Sequence, residues 1–353
     1  MKKLNVCVLF GGISPEHEVS LRSAEFVLNQ IDHEKYNILP VGITKDGDWI
    51  LFGGTDYSTL PTKLWINHDS NRRAFLSPIR GQGLLCFENE RIIYQPIDVV
   101  FPVLHGINGE DGAIQGLLEI TGIPYVGSDI AASATCMDKC MTKLMADQIE
   151  IRQADWLLVT QAAYNRSRED ICNMAESRFT YPMFVKPANT GSSIGVSKAK
   201  NREELFNALE SALCYDHKIL VEEYIIAQEV ECAVLGNQVL STSICGEIVP
   251  GADFYDYDAK YISDSSSLYI PARISEQAAE TVRRISLKVY EAMGCRGLGR
   301  VDFFVKPDGE VVFNEINTLP GFTSISMYPK LFQASGISYT ELIDRLLTLA
   351  LEK

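Results

Sequence analysis

The stretch from Gly299 to Ser326, GRVDFFVKPDGEVVFNEINTLPGFTSIS, limits what the chain can fold into more than any other. GRVDFFV and EVVFNEIN are extended runs separated by a Pro-Asp-Gly turn signal, so they predict an antiparallel hairpin. A two-residue loop at Asp308 and Gly309 places Asp302 opposite Glu315 and Arg300 opposite Asn317, all four on one face by the period of two. Facing like charges at a Cβ separation of roughly 4.5–5.5 Å repel, and a cation between them removes the repulsion. Oxygen-only ligands of this kind suit Mg²⁺, which takes one or two carboxylates and completes its shell with phosphate oxygens and water. A three-residue turn with a glycine bulge would instead send Asp302 and Glu315 to opposite faces. A solvated polar face is the plainer use of the same pattern.

A chain of 353 residues exceeds what one hydrophobic core usually serves, which predicts two or three domains. Hydrophobic residues make up 46% and no apolar run reaches membrane-spanning length. MKKLNVCVLFGG lacks a cleavage site and runs into a glycine turn, so it reads as a first strand, not an export signal. The 9 cysteines are dispersed with no CxxC pair, which predicts free thiols in a reducing compartment. A net charge of −14 argues against general nucleic-acid binding, so an anionic ligand needs a local group of cations.

Leu4–Phe10, two glycines and EHEVSLRSAEFVLNQI read as strand, turn and helix, the opening of an α/β layer. The full dinucleotide fingerprint is missing. Glu18 stands at the start of that helix, where an acid also favours the helix dipole. YNILPVGIT predicts a second strand, the segment from Trp49 to Arg91 offers little chemistry, and IDVVFPVL runs into a loop carrying His105. SATCMDKCMTKLMADQI, from Ser133 to Ile149, predicts one helix with Lys139 and Lys143 a turn apart. PMFVKP carries Lys186 into the loop from Asn189 to Gly195, whose small residues and free N–H groups can wrap phosphates. It is not a Walker A loop, since the lysine precedes the glycines. The aromatic-rich GADFYDYDAKYISDSSS predicts a lid or binding loop. LFQASGISYTELIDRLLTLALEK predicts a closing amphipathic helix.

Taken together, VKPANTGSSIG, VEEY followed by QEVECAV, DFYDYDAKY, GRVDFF and FNEINTLPGFTS stand in the order and spacing of the ATP-grasp ligases. With LFGGISPEHEVSL and HGINGEDGAIQG added, the chain resembles the D-alanine–D-alanine ligase family over nearly its whole length. The resemblance implies an α/β (α+β) chain with the three-domain ATP-grasp fold. A parallel-sheet, substrate-binding domain would span 1–128, a small central domain 129–223, and a C-terminal domain with the metal site and lid 224–353. ATP would lie between the last two. It further implies that Lys139 and Lys186 contact the phosphates, that Glu222, Glu223 and the hinge backbone hold the adenine, and that Glu229 holds the ribose. Phe254, Lys260 and Asn314 would complete the nucleotide site. Asp302, Glu315 and Asn317 would bind two Mg²⁺, with Mn²⁺ a possible substitute.

On the substrate side, the resemblance implies Glu18 at the first D-alanine's amino group and His105 near its carboxylate. Glu18, Ser192 and Tyr261 would form a trio linking three loops. Lys260 and Ser326 would reach phosphate and the second carboxylate, Met327 the second side chain, and Arg300 with the Gly321 N–H the oxyanion. The implied chemistry is ATP-dependent joining of two D-alanines through an acyl phosphate, for peptidoglycan precursors. D-alanine–D-serine ligation is the alternative, and D-lactate is disfavoured by Tyr261. Ile325 stands where many members carry His. A cytoplasmic homodimer acting on small molecules, without nucleic acid or membrane, is expected.

Overall fold

The computed structural model describes residues 3–249 and 267–352. Phe254, Lys260 and Tyr261, with nearly all of the expected lid, lie outside the described residues.

The first sheet has seven strands in the order β6-β5-β4-β3-β2-β1-β7. At one end of it the apolar run β1 (Leu4–Gly11) is flanked in parallel by β2 (Tyr36–Ile43) and the edge strand β7 (Val99–Val103). Val6 to Phe10 are fully buried, as expected of a strand covered on both faces. Among the strands of this sheet only that end is parallel. The stretch that looked uninformative folds into β3 (Trp49–Leu51), β4 (Arg72–Leu76), β5 (Leu84–Glu88) and β6 (Arg91–Gln95), an antiparallel extension. Helices α1 (His17–Gln30) and α2 (Ala113–Thr121) follow β1 and β7.

The expected single helix from Ser133 is two: α3 (Ile130–Met137) and α4 (Lys139–Gln148). Asp138 ends the first and caps the second, its carboxylate accepting from the N–H groups of Cys140 at 3.0 Å and Met141 at 3.3 Å. Beyond lies an all-antiparallel sheet, β10-β9-β11-β8, built from β8 (Trp156–Thr160), β9 (Met183–Pro187), β10 (Ser197–Ala199) and β11 (Lys218–Glu223). Helices α5 (Gln161–Arg166), α6 (Arg168–Arg178) and α7 (Arg202–Leu213) complete this unit.

The third sheet runs β15-β14-β12-β16-β17, with β13 (Ser241–Thr242) also on β12. Its members are β12 (Gln228–Gly236), β14 (Gly246–Val249), β15 (Ser267–Tyr269), β16 (Gly297–Val305) and β17 (Val311–Asn317). One face packs on α8 (Glu276–Ala292) through Val230, Cys232, Val301, Phe303 and Phe313. The predicted closing helix is α9 (Met327–Ala334) and α10 (Tyr339–Leu351), with Gly336 at φ 93° between them. Both helices share a core with the first sheet. Phe322 meets Phe101 edge-on at 5.7 Å, and the Tyr36 hydroxyl donates to Asp344 at 2.6 Å.

The hairpin settles the register. Its turn has three residues, since Lys306 N–H donates to the Glu310 carbonyl at 2.9 Å around Pro307, Asp308 and Gly309, with Gly309 at φ 88°. Uncorrected, that turn would set Asp302 and Glu315 on opposite faces. Phe303 pairs with Phe313 but Asp302 pairs with Glu315, so Asn314 is an extra, bulged residue. The bulge restores the offset, and Arg300 faces Asn317 as the sequence predicts.

All 9 cysteines are free thiols, and only Cys214 is exposed. Among the described residues no helix is long and apolar enough to cross a membrane.

Candidate active site

Two cavities meet between the sheets. The first, of about 570 Å³, lies between the second and third sheets and is lined by Lys139, Lys186, the Thr190–Ser193 loop, Glu222–Glu229, Asn314 and Glu315. The second, of about 360 Å³, lies toward the first sheet and touches Glu16, His105, Glu110, Arg300, Gly321 and Ser326. Lys139, Thr190, Gly191, Ser192, Ile248 and Glu315 line both. Asn314 and Glu315 are neighbours in sequence yet both reach the first cavity, because a bulge turns two consecutive side chains to one side.

In the first cavity Glu222 is buried between two lysines, with Oε1 3.2 Å from Lys143 and Oε2 2.7 Å from Lys186. Burial pushes the Glu222 carboxyl up, but the two ammonium groups outweigh it and hold it down at about 2. Both carboxylate oxygens are therefore committed to lysines. Glu223 is committed as well, to Arg152 at 3.2 Å and the Asp155 N–H at 2.9 Å, so it offers the cavity mainly backbone. The Lys139 ammonium donates to the Thr190 carbonyl at the cavity junction.

In the second cavity Arg300 donates to Asp302 twice, Nε at 2.8 Å and Nη2 at 2.7 Å, and its Nε lies 3.0 Å from Glu231. Burial disfavours the guanidinium charge, yet Asp302 and Glu231 keep it firmly cationic. Glu231 stands opposite Asp302 on β12, as Glu315 does on β17. Asp302, Glu315 and Asn317 offer only oxygen donors, the kind a hard divalent cation takes, but Arg300 holds both Asp302 oxygens, and among the described residues no three acidic, His or Cys side chains are grouped as a metal site.

The resemblance implies Glu18 as the first-substrate acid, but Glu18 is not among the residues that line either cavity. Glu18 pairs with Lys45 at 2.7 Å and Lys63 at 3.2 Å; burial, the largest single effect, raises its carboxyl, but the two lysines and a backbone N–H together outweigh it and hold it at about 2. Glu16 occupies the cavity wall instead, and the Ser192 hydroxyl donates to its carboxylate. Room for Glu16 comes from Gly106, at φ 65°, where a Cβ would lie 2.4 Å from Oε2. The signal was present. Glu16 extends the buried stripe of Ser20, Ser23 and Val27, while Glu18 shares the other face with Arg22 and Glu25.

His105 is buried, its Nδ1–H donating to the Leu319 carbonyl at 3.1 Å and Nε2 3.4 Å from Ser23 Oγ. Burial lowers its pKa. Gly321 adjoins Ser326, whose Oγ accepts from Thr323 N–H at 2.9 Å, and Met327 is buried behind it. The sequence reading missed Glu110, which accepts from Gly106 N–H at 2.6 Å beside Glu16. Burial, then Glu16, raises the Glu110 carboxyl from 4.5 to about 8. A raised folded pKa contributes stability below the unfolded value and loses it as pH rises through the folded one. Glu110 should therefore make stability fall between about pH 4.5 and 8, and thermal melts of Glu110→Gln should show a shallower decline over that window.

A glycine- and serine-rich loop and a small antiparallel sheet, closing with a larger sheet over a nucleotide-sized cavity, define the ATP-grasp class of ligases. Residues 5–128 match the family model described as D-ala D-ala ligase N-terminus, and 145–348 the one described as D-ala D-ala ligase C-terminus. The D-alanine–D-alanine ligase of Caldicellulosiruptor bescii is 50% identical over 355 residues, covering 100% of this chain and 96% of the relative. Among solved structures, the VanG D-Ala:D-Ser ligase from Enterococcus faecalis has a TM-score of 0.89 at 39% identity, covering 99% and 100% of the two chains. The D-alanine–D-alanine ligase from Coxiella burnetii has 0.88 at 34%, covering 100% and 95%. The chain belongs to the D-alanine–D-alanine ligase family. It is accordingly a ligase that forms a C–N bond, of a family that uses ATP and a divalent metal.

Proposed function

We propose that this enzyme joins two D-alanine molecules at the expense of ATP, through a D-alanyl phosphate, to make the dipeptide used in peptidoglycan precursors. The observation that carries the reading is the junction of the two cavities at Lys139, Ser192 and Glu315. A γ-phosphoryl group held there can pass from a nucleotide in one chamber to a carboxylate in the other. Lys139 and Lys186 would take phosphate charge, the hinge backbone from 223 to 226 the adenine, Glu229 the ribose, and Asn314 the floor near the phosphates. Asp302, Glu315 and Asn317 would hold Mg²⁺, one ion or two, with Mn²⁺ able to replace it. When bound, the metal offsets charge on the transferring phosphoryl group.

Glu16, in place of Glu18, would hold the first D-alanine's amino group, with His105 near its carboxylate and Ser192 keeping the glycine-rich loop closed on Glu16. Ser326 would hold the second carboxylate, and the Met327 thioether would suit a methyl side chain. After the second amine attacks, Arg300 and the Gly321 N–H would stabilise the oxyanion. Glu16→Gln should cost on the order of a hundredfold in kcat/KM through misplacement of the amine. Glu18→Gln, which loses only exposed ion pairs, should stay near the unmodified enzyme. The reverse ranking in a steady-state assay would return the role to Glu18.

Incubation with ATP, Mg²⁺ and D-alanine should release phosphate and dipeptide together, and ATP turnover without dipeptide would refute the assignment. Equal D-alanine and D-serine, followed by mass spectrometry, should give mainly D-alanyl-D-alanine. D-serine addition has less support, because the 50% identical relative is a D-alanine–D-alanine ligase. We take the enzyme to work in the cytoplasm as a homodimer, as inferred from its family. Size-exclusion chromatography with light scattering tests the second point.

A further inference from the structure

Lys143 lines neither cavity, yet it is more deeply buried than any lysine of the nucleotide site. Its side chain is 3% exposed, against 14% for Lys186, and α4 delivers it one turn after Lys139. Its ammonium lies 3.2 Å from Glu222 Oε1 and 3.4 Å from the Ala154 carbonyl, while Lys186 takes the other Glu222 oxygen at 2.7 Å. Gln153 fixes the same turn of helix by donating to the Lys143 carbonyl at 2.8 Å and to Asp147 at 2.6 Å.

The three charges form a row, Lys143⁺, Glu222⁻, Lys186⁺, and only the last two reach the cavity. A carboxylate paired with Lys186 alone would cancel that cation's charge just where phosphate must bind. A second ammonium behind it leaves the row at +1 and turns Glu222 from a competitor of the phosphates into a bridge. We propose that Lys143 is a positioning residue for the nucleotide: it holds and neutralises Glu222, so that Lys186 presents a net positive charge to the phosphates. This rests on the reading that the larger cavity takes ATP.

The test is nucleotide affinity of the full-length enzyme, measured by displacing a fluorescent ATP analogue with ATP. Lys143→Met should weaken ATP binding by on the order of tenfold to a hundredfold, since it removes one unit charge from a water-poor site. Glu222→Gln added to it restores the +1 balance and should recover affinity to within about threefold of the unmodified enzyme, a non-additivity that shared partners produce. D-alanine binding should not move in either. A merely structural lysine would give no such rescue. Unchanged affinity in Lys143→Met, or a double variant no better than the single, would overturn the proposal. Unchanged affinity in Lys186→Met would instead undercut the placement of ATP. Should thermal melting show Lys143→Met unfolded, Lys143→Gln, which keeps a donor without the charge, replaces it under the same criteria.

Discussion

Glu315→Gln is expected to lower dipeptide formation by on the order of a thousandfold, equivalent to about 4 kcal/mol of transition-state stabilisation, while the protein stays folded. The size follows from position. Glu315 lines both cavities and faces Asp302 across the β16–β17 ladder, so it is the carboxylate nearest the crossing point of the phosphoryl group. Glutamine keeps its volume and one oxygen but loses the charge that would hold a divalent ion. Folding should tolerate the change, since the hairpin is anchored on its other face by Phe303 and Phe313, whose rings meet edge-on at 6.1 Å. The diagnostic measurement is the Mg²⁺ dependence of phosphate release, which should shift to higher concentration as the rate falls. Near-normal turnover with an unchanged Mg²⁺ profile would remove Glu315 from the metal site.

That prediction needs the hairpin register, and the register shows how far the sequence can be read. Pairing Asp302 with Glu315 was legible from period-two patterning, because polar and apolar residues alternate from Arg300 to Phe303, before the apolar run Phe303 to Val305. The route to that pairing was not. Counting from a two-residue turn gave the correct partners only because a three-residue turn and a bulge at Asn314 offset one another. Nothing in VVFNEIN marks the bulge locally. It is set by Phe313 packing inward while both Asn314 and Glu315 turn to the cavity. The breaks at Asp138 and Gly336 were legible as a cap residue and a glycine, but helical periodicity continued through both and masked them.

The acids were harder to read. Two carboxylates two residues apart at a helix start look alike until the buried face of the helix is known. Glu16 becomes identifiable only with the stripe through Ser20 and Val27. Glu231 follows Glu229 at the strand period, so its presence on the same face was readable, although its pairing with Arg300 depends on β12 lying beside β16. Lys143 carried the spacing of a solvated partner to Lys139, and burial against Glu222 is a tertiary fact. The fold, and which motifs come together around the larger cavity, were thus legible in ordered motifs. The burial of individual charges was not, because it depends on which sheets face each other.

Arg300→Met should act on two quantities at once, and separating them tests the proposed oxyanion role. The guanidinium is the shared partner of Asp302 and Glu231, so its removal takes that cation from two buried carboxylates. Breaking a buried pair in this way typically costs about 3–5 kcal/mol of stability. Catalysis should also fall, by about a hundredfold to a thousandfold, if the same group stabilises the developing oxyanion. A second substitution divides the effects. Glu231→Gln combined with Arg300→Met removes one of the stranded charges and should recover much of the lost stability in denaturant titrations, because the two residues are in direct contact. Turnover of that double variant should remain low, since no donor has been returned to the cavity. Arg300→Lys keeps a cation but only a point charge in place of the fork now bonded to Asp302, so its turnover should be intermediate. Recovery of turnover along with stability in the double variant would mean that Arg300 serves the fold alone, and the oxyanion role would then pass to the Gly321 N–H.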